Sequence, residues 1–174
     1  IFLGVAILTG WQTGNARDQS RLARENAQTT QSIFELSRKL SGAVELSEIL
    51  EAATVYAQKT LAARCIVMLL PQDRELDLAA AWPPIDALDA GETSAAQWAF
   101  DKGEPAGWKT GTLPNICFQF RPLMTARGVV GVCGLQPAED TAALLPPQER
   151  ALALILEQTA IAVDRAILVK ESVH

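Results

Sequence analysis

The sequence predicts an α+β domain, an α/β sandwich of antiparallel strands flanked by long helices, and three observations carry that prediction. Long segments at the two ends place apolar residues at helical spacing, while two pairs of short apolar runs, each pair joined by turn residues, lie between them. Nearly half of the 174 residues are apolar, which suffices for one proper core within the usual size of a single domain.

Residues 17–40 contain neither Pro nor Gly. Leu22, Asn26, Thr29, Ile33, Leu36 and Leu40 recur there at alternating steps of four and three, a heptad seam whose polar first half makes it weak. Ser41 and Gly42 end it. A second helix is predicted over 46–62, with Leu46, Ile49, Leu50, Ala53, Tyr56, Ala57 and Leu61 on one stripe and Glu45 as a poor cap. The period then changes: 65–70 is a continuous apolar run, 71–75 is turn-like, and 76–82 is a second strand ending at Pro83 and Pro84.

Asp89 and Glu92 form a capping box for a helix that runs to Lys102, with Gly103 as its left-handed stop. Pro105, Gly107, Gly111 and Pro114 interrupt residues 104–115, which read as a long loop with a short extended piece around Pro105 and Ala106. A strand is predicted over 116–124, placing Ile116, Phe118 and Phe120 on one face and Cys117, Gln119, Arg121 and Leu123 on the other. Residues 125–127 turn the chain into a strand over 128–136, rich enough in small residues for something to pack closely over it. Pro146 and Pro147 open a last helix that runs to about residue 171. Two stripes run along it, Leu152, Ile155, Thr159, Val163 and Ala166 on one and Leu154, Ile161 and Leu168 on the other, so it can face a sheet and a partner helix at once.

The formal charge of -5, with no massed block of Lys and Arg in the body of the chain, argues against nucleic acid as a partner. Three widely spaced cysteines, Cys65, Cys117 and Cys133, suggest neither a disulfide framework nor a zinc site and fit a reducing cytosol. No spacing pairs acids and bases for catalysis, and neither a phosphate-cradling glycine motif nor a His-Glu-x-x-His pattern is present. Residues 1–8 are apolar except for Gly4 and are followed by Trp11 and then by Arg17, Arg21 and Arg24. This stretch is too short to span a bilayer, and it reads as the cytoplasmic end of a membrane helix, as a short amphipathic helix start or as a disordered tag remnant.

The phrases FELSRKL (34–40), WPP (82–84), AAQWAFDKGEPAG (95–107), TLP (112–114), RPL (121–123) and RGVVGVCGLQP (127–137) resemble the GAF region of KdpD-type osmosensitive potassium-channel sensor histidine kinases, in that family's order. The resemblance implies a GAF/PAS-like antiparallel sheet with the N- and C-terminal helices on one face and a ligand pocket on the other. It divides the chain into a remnant of the last transmembrane helix (1–12), a signalling coiled-coil helix (13–42) and a GAF domain with its exit helix (43–172). In such a kinase the domain is cytoplasmic, beside the inner membrane, and homodimeric through its terminal helices. It relays a signal to a kinase core, here absent, that phosphorylates a response regulator. Trp108 and Gly111 stand where the family has a polar or basic residue and an Asp, so the resemblance carries no polar ligand contact over to that loop. His174 lacks the acidic, Leu-Arg-x-Pro continuation of a phosphoacceptor.

No catalytic residue, metal site or required cofactor is expected of this segment. The candidate ligand pocket comprises Trp82, Trp98, Phe100, Trp108, Cys117 and Arg121, the aromatic members serving equally well as ordinary core. Arg17, Arg21 and Arg24 form a juxtamembrane cluster that suits sensing or plain topology signalling. The alternative function is a stand-alone small-molecule-binding or redox GAF protein using Cys117.

Overall fold

A computed structural model describes Arg38 and residues 45–172. The apolar start, Arg17, Arg21, Arg24 and, Arg38 apart, the heptad seam lie outside the described residues, as does His174.

Helix α1 spans Leu46–Leu61 and buries Ile49, Leu50, Ala53, Ala57 and Leu61, the stripe the periodicity predicts. Glu45 provides no side-chain cap, and the helix stops at Ala62, which takes the left-handed conformation at φ 49°. Strands β1 (Cys65–Gln72) and β2 (Glu75–Trp82) form the first hairpin. Its turn is tighter than the expected 71–75, because Pro71 and Gln72 still pair with Leu76 and Glu75. Pro71 is tolerated there because the pairing of β1 with its other neighbour ends at Leu69, so the missing N–H forfeits no ladder bond on that side. Asp73 supplies the positive φ, 59°, which Asp accepts more readily than most residues. The Trp82–Pro83 bond is cis.

Helix α2 (Ala90–Lys102) is bounded as its sequence signals dictate. Asp89 accepts from the Glu92 amide, Glu92 accepts from the Asp89 amide, and Gly103 closes the helix at φ 67°. Strand β3 is only Ala106–Gly107, and β4 (Gln119–Thr125) and β5 (Gly128–Gln136) form the second hairpin. β4 starts three residues later than the alternation at 116–124 predicts. The partner strand is only two residues long, and its pairing with β4 involves Gln119 and Phe120, so residues 116–118 have no ladder to join. Phe118 is nevertheless buried, its ring stacked on Phe120 with centroids 5.6 Å apart.

The last helix, α3, spans Pro146–Ser172. Its start is fastened by Gln148, whose Oε1 accepts from the Leu145 amide at 2.9 Å.

All neighbours in the five-stranded sheet are antiparallel, in the order β2-β1-β5-β4-β3. Alternation along the strands separates two cores. On one face Val67, Leu69, Phe118, Phe120 and Val132 pack with Ala95, Ala96 and Ala99 of α2. The other side has α1 and α3 packed on each other and on the sheet, with Leu50, Leu152, Ile155 and Val163 at most 2 % exposed. The small residues of β5 do what they predict: a Cβ on Gly134 would lie 2.5 Å from Val67 Cγ2 and 2.7 Å from Phe120 Cε1, so both side chains occupy the space a larger residue would need.

Candidate functional site

β4 carries two kinds of residue because its side chains alternate. Phe120, like Phe118 just ahead of the strand, enters the core under α2, whereas Gln119 and Arg121 point to the opposite side and toward the start of α3. The loop after β3 turns back over this edge of the sheet. Gly107, at φ 97°, makes that turn possible: a Cβ there would collide with the Phe118 carbonyl oxygen. The loop then holds itself closed, the Gly107 amide donating to Thr112 O at 2.8 Å and the Trp108 amide to Phe118 O at 2.9 Å. The Thr110 hydroxyl lies 2.8 Å from the carbonyls of both Gly107 and Thr112.

Between this loop, α2, β4 and the start of α3 lies an open cleft of about 640 Å³. Trp98 and Trp108 line it together with Glu104, Lys109, Gln119, Arg121, Leu144 and Glu149. A polar chain crosses it. Gln119 Nε2 donates to Trp108 O at 2.9 Å, Arg121 Nε donates to Gln119 Oε1 at 2.8 Å, and Arg121 Nη2 donates to both Glu149 oxygens at 2.9 and 2.7 Å. The Arg121 side chain is 19 % exposed and that of Glu149 44 %, so the cation is the fixed member of the pair and the acid the freer one. Charge-assisted bonds are the stronger kind, but exposure of Glu149 moves the value of this one toward the low end, about 1 kcal/mol. Cys133, directly opposite Arg121 in the ladder and so on the same face of the sheet, is buried; burial pushes its thiol up to about 12, with Arg121 pulling the other way.

Of the six residues proposed from sequence for a pocket, Trp98, Trp108 and Arg121 meet at this cleft. Trp82, Phe100 and Cys117 are not among its lining residues. Trp82 ends β2 at the opposite edge of the sheet and is 42 % exposed. Phe100 packs against the core beneath α2, and Cys117 is exposed, ahead of β4. Cys65 and Cys133 are buried, and burial raises the Cys65 thiol too, with Glu92 adding to the rise. Gln119 and Glu149 are the members of the polar chain that sequence reasoning missed. Gln119 was visible as sharing the face of Arg121, whereas Glu149 is 28 residues further along and reaches the cleft only through the fold.

The GAF domain family profile matches residues 45–165, the span of the described fold. The chain belongs to the GAF domain family. The GAF fold is equally clear from the crystal structure of the native GAF domain of the potassium sensor histidine kinase KdpD from Escherichia coli. That structure matches with a TM-score of 0.72 and 27 % identity, covering 83 % of this chain and 99 % of that one. Among curated proteins, the sensor protein KdpD of Escherichia coli K12 is 30 % identical over 168 residues, which is 97 % of this chain and 18 % of the relative. Sensor protein KdpD of Clostridium acetobutylicum is 27 % identical over 182 residues, 98 % of this chain and 19 % of the relative. The chain therefore spans less than a fifth of the length of the curated relatives it matches. These relatives favour the sensor-kinase reading of this GAF domain over a stand-alone redox protein. Among the described residues no helix is long and apolar enough to cross a membrane.

Proposed function

We propose that this GAF domain is the sensory domain of a KdpD-like membrane sensor histidine kinase responding to potassium limitation or osmotic stress. It relays the state of its cleft to a kinase core that follows α3. The observation that best supports this reading is the Arg121–Glu149 pair, which joins a cleft of ligand size directly to the first turn of a 27-residue helix leaving the domain.

The partners follow from the same helix. Leu154, Ile161 and Leu168 are exposed at seven-residue intervals, a stripe suited to the same helix of a second copy. The homodimer, the inner-membrane neighbour, the cytoplasmic location and the phosphate transfer to a response regulator all belong to the full kinase. No cofactor is needed for the relay.

The test is the double change Ile161→Glu, Leu168→Glu in the full-length kinase. Charges on this stripe lower dimer content in sedimentation and change autophosphorylation, while the sheet stays intact by circular dichroism. A dimer and a kinase rate that both ignore the two charges would remove the helix from the relay.

A further inference from the structure

We propose that the cleft binds a small carboxylate bearing a flat apolar group, and that this carboxylate takes Arg121 from Glu149. The inference deepens the sensory reading above and rests on it for its consequence, though not for the binding itself.

Arg121 is a prepared anion site. Gln119 holds its Nε at 2.8 Å and is itself tied to the Trp108 carbonyl at 2.9 Å, so the guanidinium plane is set before any ligand arrives. Its bond to Glu149 is not the best a carboxylate can make. Both Glu149 oxygens share the single nitrogen Nη2, whereas the favourable fork pairs two nitrogens with two oxygens. Nη1 makes no hydrogen bond among the described residues. A free carboxylate entering the cleft can form the fork that Glu149, tethered to its helix, does not.

The rest of the cleft selects the remainder of the molecule. Trp98 and Trp108 give flat apolar walls, and a second cation, Lys109, lines the cleft from the same loop as Trp108. Glu104 and Glu149 balance the two cations, so the lining of the cleft is near neutral and accepts a monoanion only when Glu149 gives way. Glu149 can do so because it is the more exposed partner. Its displacement leaves the first turn of α3 held by the longer bond from Gln148 Nε2 to Leu61 O at 3.4 Å.

The probe is phenylacetate, titrated into the purified chain and followed by the indole and Arg Nε resonances of a nitrogen-labelled sample, with phenylacetamide and inorganic phosphate as comparators. Phenylacetate is expected to shift the Trp98, Trp108 and Arg121 signals, and phenylacetamide is expected to leave them in place. Glu149→Gln binds phenylacetate about fivefold tighter, the size of the Arg121–Glu149 pair no longer competing, and Arg121→Lys binds it at least tenfold more weakly. Because Glu149 is half exposed, its variant folds even if Arg121→Lys does not. Equal binding of the amide, a preference for phosphate, or a Glu149→Gln affinity no better than wild type would each overturn the proposal. A cleft that ignores carboxylates in a kinase whose output still depends on Ile161 and Leu168 defeats this inference alone. Carboxylate binding in a kinase indifferent to those two residues defeats the relay instead.

Discussion

Replacing Gly107 with Ala should loosen the cleft at a cost the structure bounds from both sides. Backbone at φ 97° costs an L-residue about 1–3 kcal/mol, and the new Cβ would also run into the Phe118 carbonyl, whose position is fixed by the Trp108 amide. The chain has one way to avoid that strain, which is to let β3 go. Release forfeits the Ala106–Phe120 ladder pairing as well as the Gly107–Thr112 and Trp108–Phe118 hydrogen bonds, about 1 kcal/mol for each bond net, and the burial of Ala106, about 0.8 kcal/mol, so that route costs at least about 3 kcal/mol. The cheaper route sets the outcome, so the expected loss in urea unfolding is about 2–3 kcal/mol. Amide exchange should accelerate at Gly107 and Trp108 while β1 and β5 stay protected. Gly111→Ala is the control within the same loop: nothing lies within 4 Å of its added Cβ, and the change should fall within about 0.5 kcal/mol of wild type. If Gly107→Ala unfolds at the same urea concentration as Gly111→Ala, the argument from φ and contact is wrong.

Gly134→Ala should cost about 1–3 kcal/mol by overpacking, and Phe120→Leu in the same molecule should recover part of it, because the ring occupies the space the methyl needs; additive losses in chemical denaturation would refute that coupling. Thr159 is fully buried and its hydroxyl has no hydrogen-bond partner among the described residues, so Thr159→Val should raise stability by about 1 kcal/mol in thermal unfolding. Cys133 adds a dependence on alkaline pH. Burial pushes its native thiol up to about 12 from an ordinary value of 9.0, so stability is full below the lower value. Between the two the unfolded chain alone sheds the proton, and stability falls by up to about 1.4 kcal/mol per pH unit. Urea midpoints taken from pH 8 to 10.5 should decline less steeply in Cys133→Ala than in wild type.

Where the sequence was legible, the signal was local and had a mechanism. Asp89, Glu92 and Gly103 bracket α2 to the residue because each satisfies backbone groups within one turn of itself. The β4 start was misplaced because alternation reports which side a residue faces and not whether a partner strand is there to pair with it. The cleft divides the same way. Trp98, Trp108 and Arg121 could be nominated by residue type, but Trp82 and Phe100 carry the same aromatic character and end up at the far edge of the sheet and against the core. Glu149 could be read as an acidic residue in a first helical turn, a place that needs no partner to explain it. Only the return of the chain across the sheet sets it against Arg121.

The strengths of these contacts determine how far a signal from the cleft can travel. Leu152, Ile155 and Val163 anchor α3 to the sheet and α1, and each fully buried aliphatic side chain contributes about 1.5–3 kcal/mol. The Arg121–Glu149 pair, exposed on its acidic side, contributes about 1 kcal/mol. Breaking it cannot lift the helix off the domain, since the aliphatic anchors outweigh it several-fold. It can shift the first turn, residues 146–149, ahead of the first buried anchors. A bias of about 1 kcal/mol lies at the low end of coupling energies between linked sites, so it changes a balanced two-state equilibrium about fivefold. The cleft therefore suits a graded adjustment of the exit helix, and a large rearrangement would have to draw its energy from the interface between helices.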